Sequence, residues 1–111
     1  MNKRPNRYFS NKQEQSVAKA VGGKQVANSG ATPFKKGDVS TRLILIECKT
    51  STTEKQSFSI KKEWLDKNDE EAFAMGKFYS ALAFNFGDGV NHYVISEEMF
   101  QMLNRHLEEL Y

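Results

Sequence analysis

An apolar run, Leu43-Ile44-Leu45-Ile46, stops abruptly at Glu47-Cys48-Lys49. A short apolar stretch closed by charge reads as a buried strand. Side chains alternate along a strand, so Glu47 and Lys49 project to one face and Ile46 and Cys48 to the other. Eight positions separate Glu47 from a second acid, Asp38, which follows Gly37. Two carboxylates and an ammonium converging at the end of a buried strand are costly unless a metal ion and a substrate use them.

At 111 residues the chain is expected to form one domain. A hydrophobic content of 39% and a charged content of 27% fit a soluble globular protein. No apolar stretch approaches the roughly 20 residues of a membrane span, and the basic N-terminus lacks the apolar core of a secretory leader. A single cysteine excludes an internal disulfide framework and a Cys-rich zinc site, and it fits a reducing cytoplasm. Charge is unevenly spread. Lys3, Arg4, Arg7, Lys12, Lys19, Lys24, Lys35 and Lys36 all precede Asp38, where Glu14 is the only acid. A basic N-terminal third is the electrostatic footprint of a protein that meets a polyanion.

The pattern predicts a flexible basic arm over 1–10 and a single domain over 11–111. A helix is expected from about Lys12 to Val21, with Glu14, Val17, Ala18 and Val21 on one face and Gly22-Gly23 as its stop. Lys24 to Asn28 reads as a short strand and Ser29 to Lys36 as a loop. Val39-Ser40 and Leu43 to Thr50 read as a hairpin turning near Thr41-Arg42. A helix from Ile60 to Met75, capped by Ser59, follows a polar loop. Strands over Lys77–Phe86 and Val90–Ile95 flank the turn Gly87-Asp88-Gly89, and Ser96 opens a last helix. The order α-β-β-β-α-β-β-α predicts an α/β fold, a mixed central sheet flanked by helices.

Phosphodiester hydrolysis needs an in-line water and neutralisation of charge on the phosphorus. Magnesium held by carboxylates, with coordination positions left open, can do both. Asp38 and Glu47 are the expected ligands, with the Cys48 backbone carbonyl as a third oxygen. Lys49 would reach the attacking water or the scissile phosphate. Glu14, a charge on the apolar face of the first helix, needs a partner and is a further candidate ligand. The hydroxyl of Ser29 and the amides of Ser29-Gly30 are candidate phosphate contacts, and Lys35 and Lys36 flank the approach to Asp38. His92 and His106 lack ligand spacing. Trp64 and the Phe-rich strand read as core.

This ordered set resembles the PD-(D/E)xK, or restriction-endonuclease-like, nuclease superfamily, and within it the archaeal-type and phage Holliday-junction resolvases. The likeness spans about Asn11 to Ile95. It rests on Glu14, Ser29-Gly30, Gly37-Asp38, Ile46-Glu47-Cys48-Lys49, the Ser59-to-Leu65 helix start and the strand Ala81-Leu82-Ala83-Phe84-Asn85-Phe86. It departs from the family pattern at Gly37, where proline is usual. The resemblance implies a restriction-endonuclease-like core and a metal-dependent endodeoxyribonuclease. Glu14, Asp38 and Glu47 would bind magnesium (manganese substituting), Lys49 would be catalytic and Ser29 would assist. Lys24, Ser29, Lys35, Lys36, Arg4 and Arg7 would contact DNA. The implied substrate is a four-way junction, the implied assembly a homodimer, and the implied location the cytoplasm. A nuclease of the same fold with restriction, repair or nonspecific selectivity, or a non-catalytic DNA-binding module, shares these features.

Overall fold

The computed structural model describes residues 6–26 and 38–111, with side chains from Tyr8 onward. Helix α1 (Asn6–Val21) leads into β1 (Lys24–Gln25), β2 (Val39–Ser40) and β3 (Ile44–Thr50). Helix α2 (Lys62–Ala74) then precedes β4 (Tyr79–Asn85), β5 (His92–Val94) and α3 (Glu97–Leu110). This is the predicted order. Helix α1 begins at Asn6, so residues 6–10 are helical where a flexible arm was expected.

The five strands form one mixed sheet in the order β1-β2-β3-β4-β5. Neighbours are antiparallel except β3 and β4, which run parallel with Ile46 beside Ala81 and Glu47 beside Leu82. Parallel neighbours need a crossover connection, and α2 supplies it. The β2–β3 hairpin turns through Arg42 and Leu43. The Thr41 amide donates to the Ile44 carbonyl at 2.9 Å. The Thr41 hydroxyl accepts from the Ile44 amide at 3.0 Å. That side-chain closure sets a register that no Asn-Gly signal announced.

Strand alternation sorts the interior into two layers. Ile46 and Cys48 of β3 share a face with Ala81 and Ala83 of β4, and Val17 and Ala18 of α1 pack there with Val39. The opposite face carries Leu45, Glu47 and Lys49 beside Leu82 and Phe84, and α2 covers it. Both faces of the β3–β4 pair are thus covered, which is why β3 reads as a near-continuous apolar run.

Two buried amides pin the helices to this strand pair from opposite sides. From α1, Gln13 Nε2 donates to the carbonyls of Lys49 (2.9 Å) and Ala83 (3.2 Å). From α2, Asn68 Nδ2 donates to the carbonyls of Leu45 (3.2 Å) and Ala81 (3.0 Å). Helix α2 starts at Lys62, later than expected, and Lys61 rather than Ser59 is its N-cap, without a side-chain cap bond. Ser96 caps α3 as predicted, its hydroxyl accepting from the Met99 amide at 3.1 Å. Phe100, Leu103, Leu107 and Leu110 on α3 remain exposed. Among the described residues no helix is long and apolar enough to cross a membrane.

Candidate active site

The site is built where β3 outruns β2. Among the described residues, pairing of β2 reaches only as far as Val39 opposite Ile46, and no described strand lies beside that edge of β3 beyond Ile46. Asp38 turns back onto it. Its amide donates to the Ile46 carbonyl at 3.0 Å. Its carboxylate Oδ2 accepts from the Cys48 amide at 2.7 Å, taking the donor that a longer β2 would have paired. The carboxylate of Asp38 therefore sits on the peptide that joins Glu47 to Cys48. The N–H and C=O of one strand residue point to the same edge, so the Cys48 carbonyl faces the same gap.

Glu47 and Lys49 share one face, as alternation predicts, and that face lies on the α2 side. Glu47 is buried, and the Lys49 Nζ stands 4.0 Å from its Oε1. The same ammonium lies 4.5 Å from the centroid of the Trp64 ring. Glu47 and Lys49 open onto a groove of about 670 Å³ whose other wall is α2, through Glu63, Trp64, Asp66, Lys67 and Glu70. Spacings of three, four and seven residues put these α2 groups on one helix stripe. The Cys48 side chain points the other way, into the α1 layer, as expected of a core thiol.

An aromatic wall adjoins Lys49. Phe84 is its neighbour in register on β4. Phe84 lies 5.3 Å from Phe58, 5.5 Å from Phe86 and 5.6 Å from His92, and Phe58 lies 6.5 Å from Trp64, centroid to centroid. Sequence reading assigned Trp64 and the Phe-rich strand, with Phe84 and Phe86, to the core. Those rings are instead half-buried, as is Phe58, while His92 is exposed, and Phe84 lies on the face that carries the charged pair.

Glu14 is placed differently from expectation. It is half-buried on α1, the helix whose Val17 and Ala18 pack against the Ile46 and Cys48 face. Among the described residues no three His, Cys, Asp or Glu side chains converge closely enough to hold a metal ion. Asp38, Glu47 and Glu14 therefore do not form a single three-carboxylate cluster. The buried polar residue of α1 is Gln13, 4% exposed, one position earlier. The buried stripe of α1 runs through Gln13 and Val17, while Val21 is exposed. A glutamine at a helix–sheet contact is legible only once the carbonyls that receive it are known. Lys24 is exposed on the edge strand β1. Ser29, Lys35, Lys36 and Arg4, and the side chain of Arg7, lie outside the described residues.

In comparisons with protein-family models, curated proteins and solved structures, none matches the chain.

Proposed function

We propose that this chain is a magnesium-dependent, structure-selective endodeoxyribonuclease of the PD-(D/E)xK type with a restriction-endonuclease-like core, most concretely a Holliday-junction resolvase. The observation that carries the reading is the docking of the Asp38 carboxylate on the Glu47–Cys48 peptide, beside a buried Glu47 and a Lys49 ammonium 4.0 Å from it.

The donor set suits a hard divalent cation. Asp38, Glu47 and the Cys48 carbonyl would hold magnesium, all three through oxygen. When bound, the ion supplies charge neutralisation at the scissile phosphate and a more acidic water. The chain's own residues do the rest. Lys49 presents a cation at the mouth of the groove, where negative charge grows on the phosphoryl oxygens in the transition state. Glu47 accepts the pull of that ammonium and limits its reach. The half-buried setting of Lys49, whose side chain is 27% exposed, makes its charge count for more than it would in bulk water. The basic residues before Asp38 fit contacts with a phosphate backbone, which read shape rather than base sequence.

A homodimer fits this reading, because resolving a four-way junction takes two nicks related by approximate two-fold symmetry. On α3, Phe100, Leu103, Leu107 and Leu110 alternate by three and four residues and are exposed, the seam pattern of a helix pair. Two such faces packed across a two-fold axis would present two matched sites.

The deciding experiment compares cleavage of an immobile four-way junction with a linear duplex of the same arms, with and without magnesium. Magnesium-dependent cutting confined to the junction is expected. Equal rates on both substrates would remove the resolvase assignment and leave a nuclease of other selectivity. Binding without cutting would leave a non-catalytic DNA-binding module.

A further inference from the structure

We infer that Trp64 is a positioning residue for Lys49, holding its ammonium between the indole face and Glu47 and so fixing where the charge enters the groove. This deepens the nuclease reading and rests on it. A lysine side chain has many rotamers and does not keep one position without contacts that restrain it. Here two such contacts converge. The Nζ lies 4.5 Å from the Trp64 centroid and 4.0 Å from Glu47 Oε1. Tryptophan has the strongest cation-attracting face of the three aromatic side chains, and partial burial strengthens the attraction.

The ring is itself held. The Trp64 amide donates to the Lys61 carbonyl at 3.0 Å, in the first turn of α2. Phe58 packs on Trp64 with centroids 6.5 Å apart and on Phe84 with centroids 5.3 Å apart. Phe84 is the β4 neighbour of Lys49, so the support of the indole and the root of the lysine belong to the same pair of strands. The indole, the lysine and the glutamate therefore form one contiguous set of contacts. A cation displaced by an ångström from its productive place loses much of its value in a transition state. A second ammonium, of Lys61, lies 5.7 Å from the same centroid, near the outer limit for such a contact.

Trp64 is the only tryptophan of the chain, so its emission reports on the surroundings of this one indole. The test uses the full chain in three arms. In the first, without metal or DNA, Lys49→Met is expected to shift Trp64 emission while Lys61→Met leaves it nearly unchanged. Unchanged emission in Lys49→Met, or a larger shift in Lys61→Met, overturns the inference. In the second, magnesium-dependent junction cleavage by Trp64→Leu is expected to lose about tenfold in kcat with KM almost unmoved, and Trp64→Phe to recover most of it. Equal losses in Phe and Leu variants overturn it, since a merely space-filling ring would be replaced by either. Because Trp64→Leu risks loosening α2, the third arm is a double-mutant cycle read by denaturant unfolding, in which Trp64→Leu is expected to cost less in the Lys49→Met background than in the parent. An undiminished cost there overturns the inference. If Lys49→Met shifts the emission but no form of the chain cuts any DNA, the nuclease reading fails, and the positioning role fails with it, while the contact itself stands.

Discussion

The carboxylate of Asp38 accepts a 2.7 Å hydrogen bond from the amide of Cys48, ten positions along the chain. The bond does two things at once. It closes the open edge of β3 where β2 ends, and it sets an acid against the peptide of Glu47. The structural role and the proposed catalytic role at this position are therefore separable by substitution.

Asp38→Asn keeps an oxygen acceptor for the Cys48 amide and loses the charge. The fold should hold, with a melting temperature within a few degrees of the parent by the usual scaling of small stability changes. Cutting should fall below detection while junction binding persists or tightens, since a negative charge facing phosphate is gone. Asp38→Ala also strands the Cys48 donor and should cost about 1–3 kcal/mol of stability. Thermal melts, gel shifts and cleavage assays on the two variants separate the roles. An Asp38→Asn chain that cuts at the parental rate would remove Asp38 from the site.

Glu47→Gln removes the second carboxylate with almost no change in shape. Cutting should be lost and binding retained, as for Asp38→Asn. The Lys49 ammonium also loses its carboxylate neighbour at 4.0 Å, so Trp64 emission should change as well. Loss of cutting without any change in emission would mean that Glu47 does not restrain Lys49.

Asn68 is 2% exposed, and its amide bridges carbonyls of β3 and β4. Asn68→Ala deletes both bonds and opens a small void under α2. A loss of about 2–4 kcal/mol is expected in urea unfolding. A loss below 1 kcal/mol, roughly one ordinary hydrogen bond, would show that α2 is held by its apolar contacts alone.

Gly87 has a φ of +88°, and an added Cβ would lie 2.3 Å from the Thr53 carbonyl oxygen. Gly89 has a φ of +82° with open space around it. Gly89→Ala should cost about 1–2 kcal/mol, the ordinary penalty of a left-handed residue. Gly87→Ala should cost clearly more, because the loop that carries Thr53 must also move. Equal costs by denaturant unfolding would mean that this loop yields freely.

The exposed α3 stripe gives the dimer a direct test. Leu103→Glu with Leu107→Glu places two charges in the middle of the seam. Sedimentation is expected to show the parent at twice the chain mass and the double variant at one chain mass, each still folded. A parent that stays monomeric at high concentration would leave the α3 face without a second copy.

Much of the architecture was legible in the chain. The alternation of helix-like and strand-like segments predicted eight elements in their observed order, because periodicity and glycine or serine punctuation act locally. Element ends were less legible. The first helix reaches back to Asn6 and α2 begins only at Lys62, since the ends of helices answer to packing as much as to capping residues. The stripe on α1 was read one residue away from Gln13. Helical periodicity defines a face only to within about 100° per residue, and the strand carbonyls that draw in Gln13 come from distant sequence.

What the sequence determined by itself is the local part: a buried strand ending in Glu47-Cys48-Lys49, with glutamate and lysine on one face because the pleat repeats every two residues. The tertiary structure decided which groups meet them. It brought Asp38 onto the Cys48 amide because β2 stops short of the end of β3. It drew Gln13 into the contact between α1 and the sheet because the carbonyls of Lys49 and Ala83 lie beneath that helix. It turned Trp64 from an expected core residue into the neighbour of the lysine, because the crossover helix lies on the charged side of the sheet. Such meetings depend on the path of the chain between elements, and no local pattern of residues encodes that path.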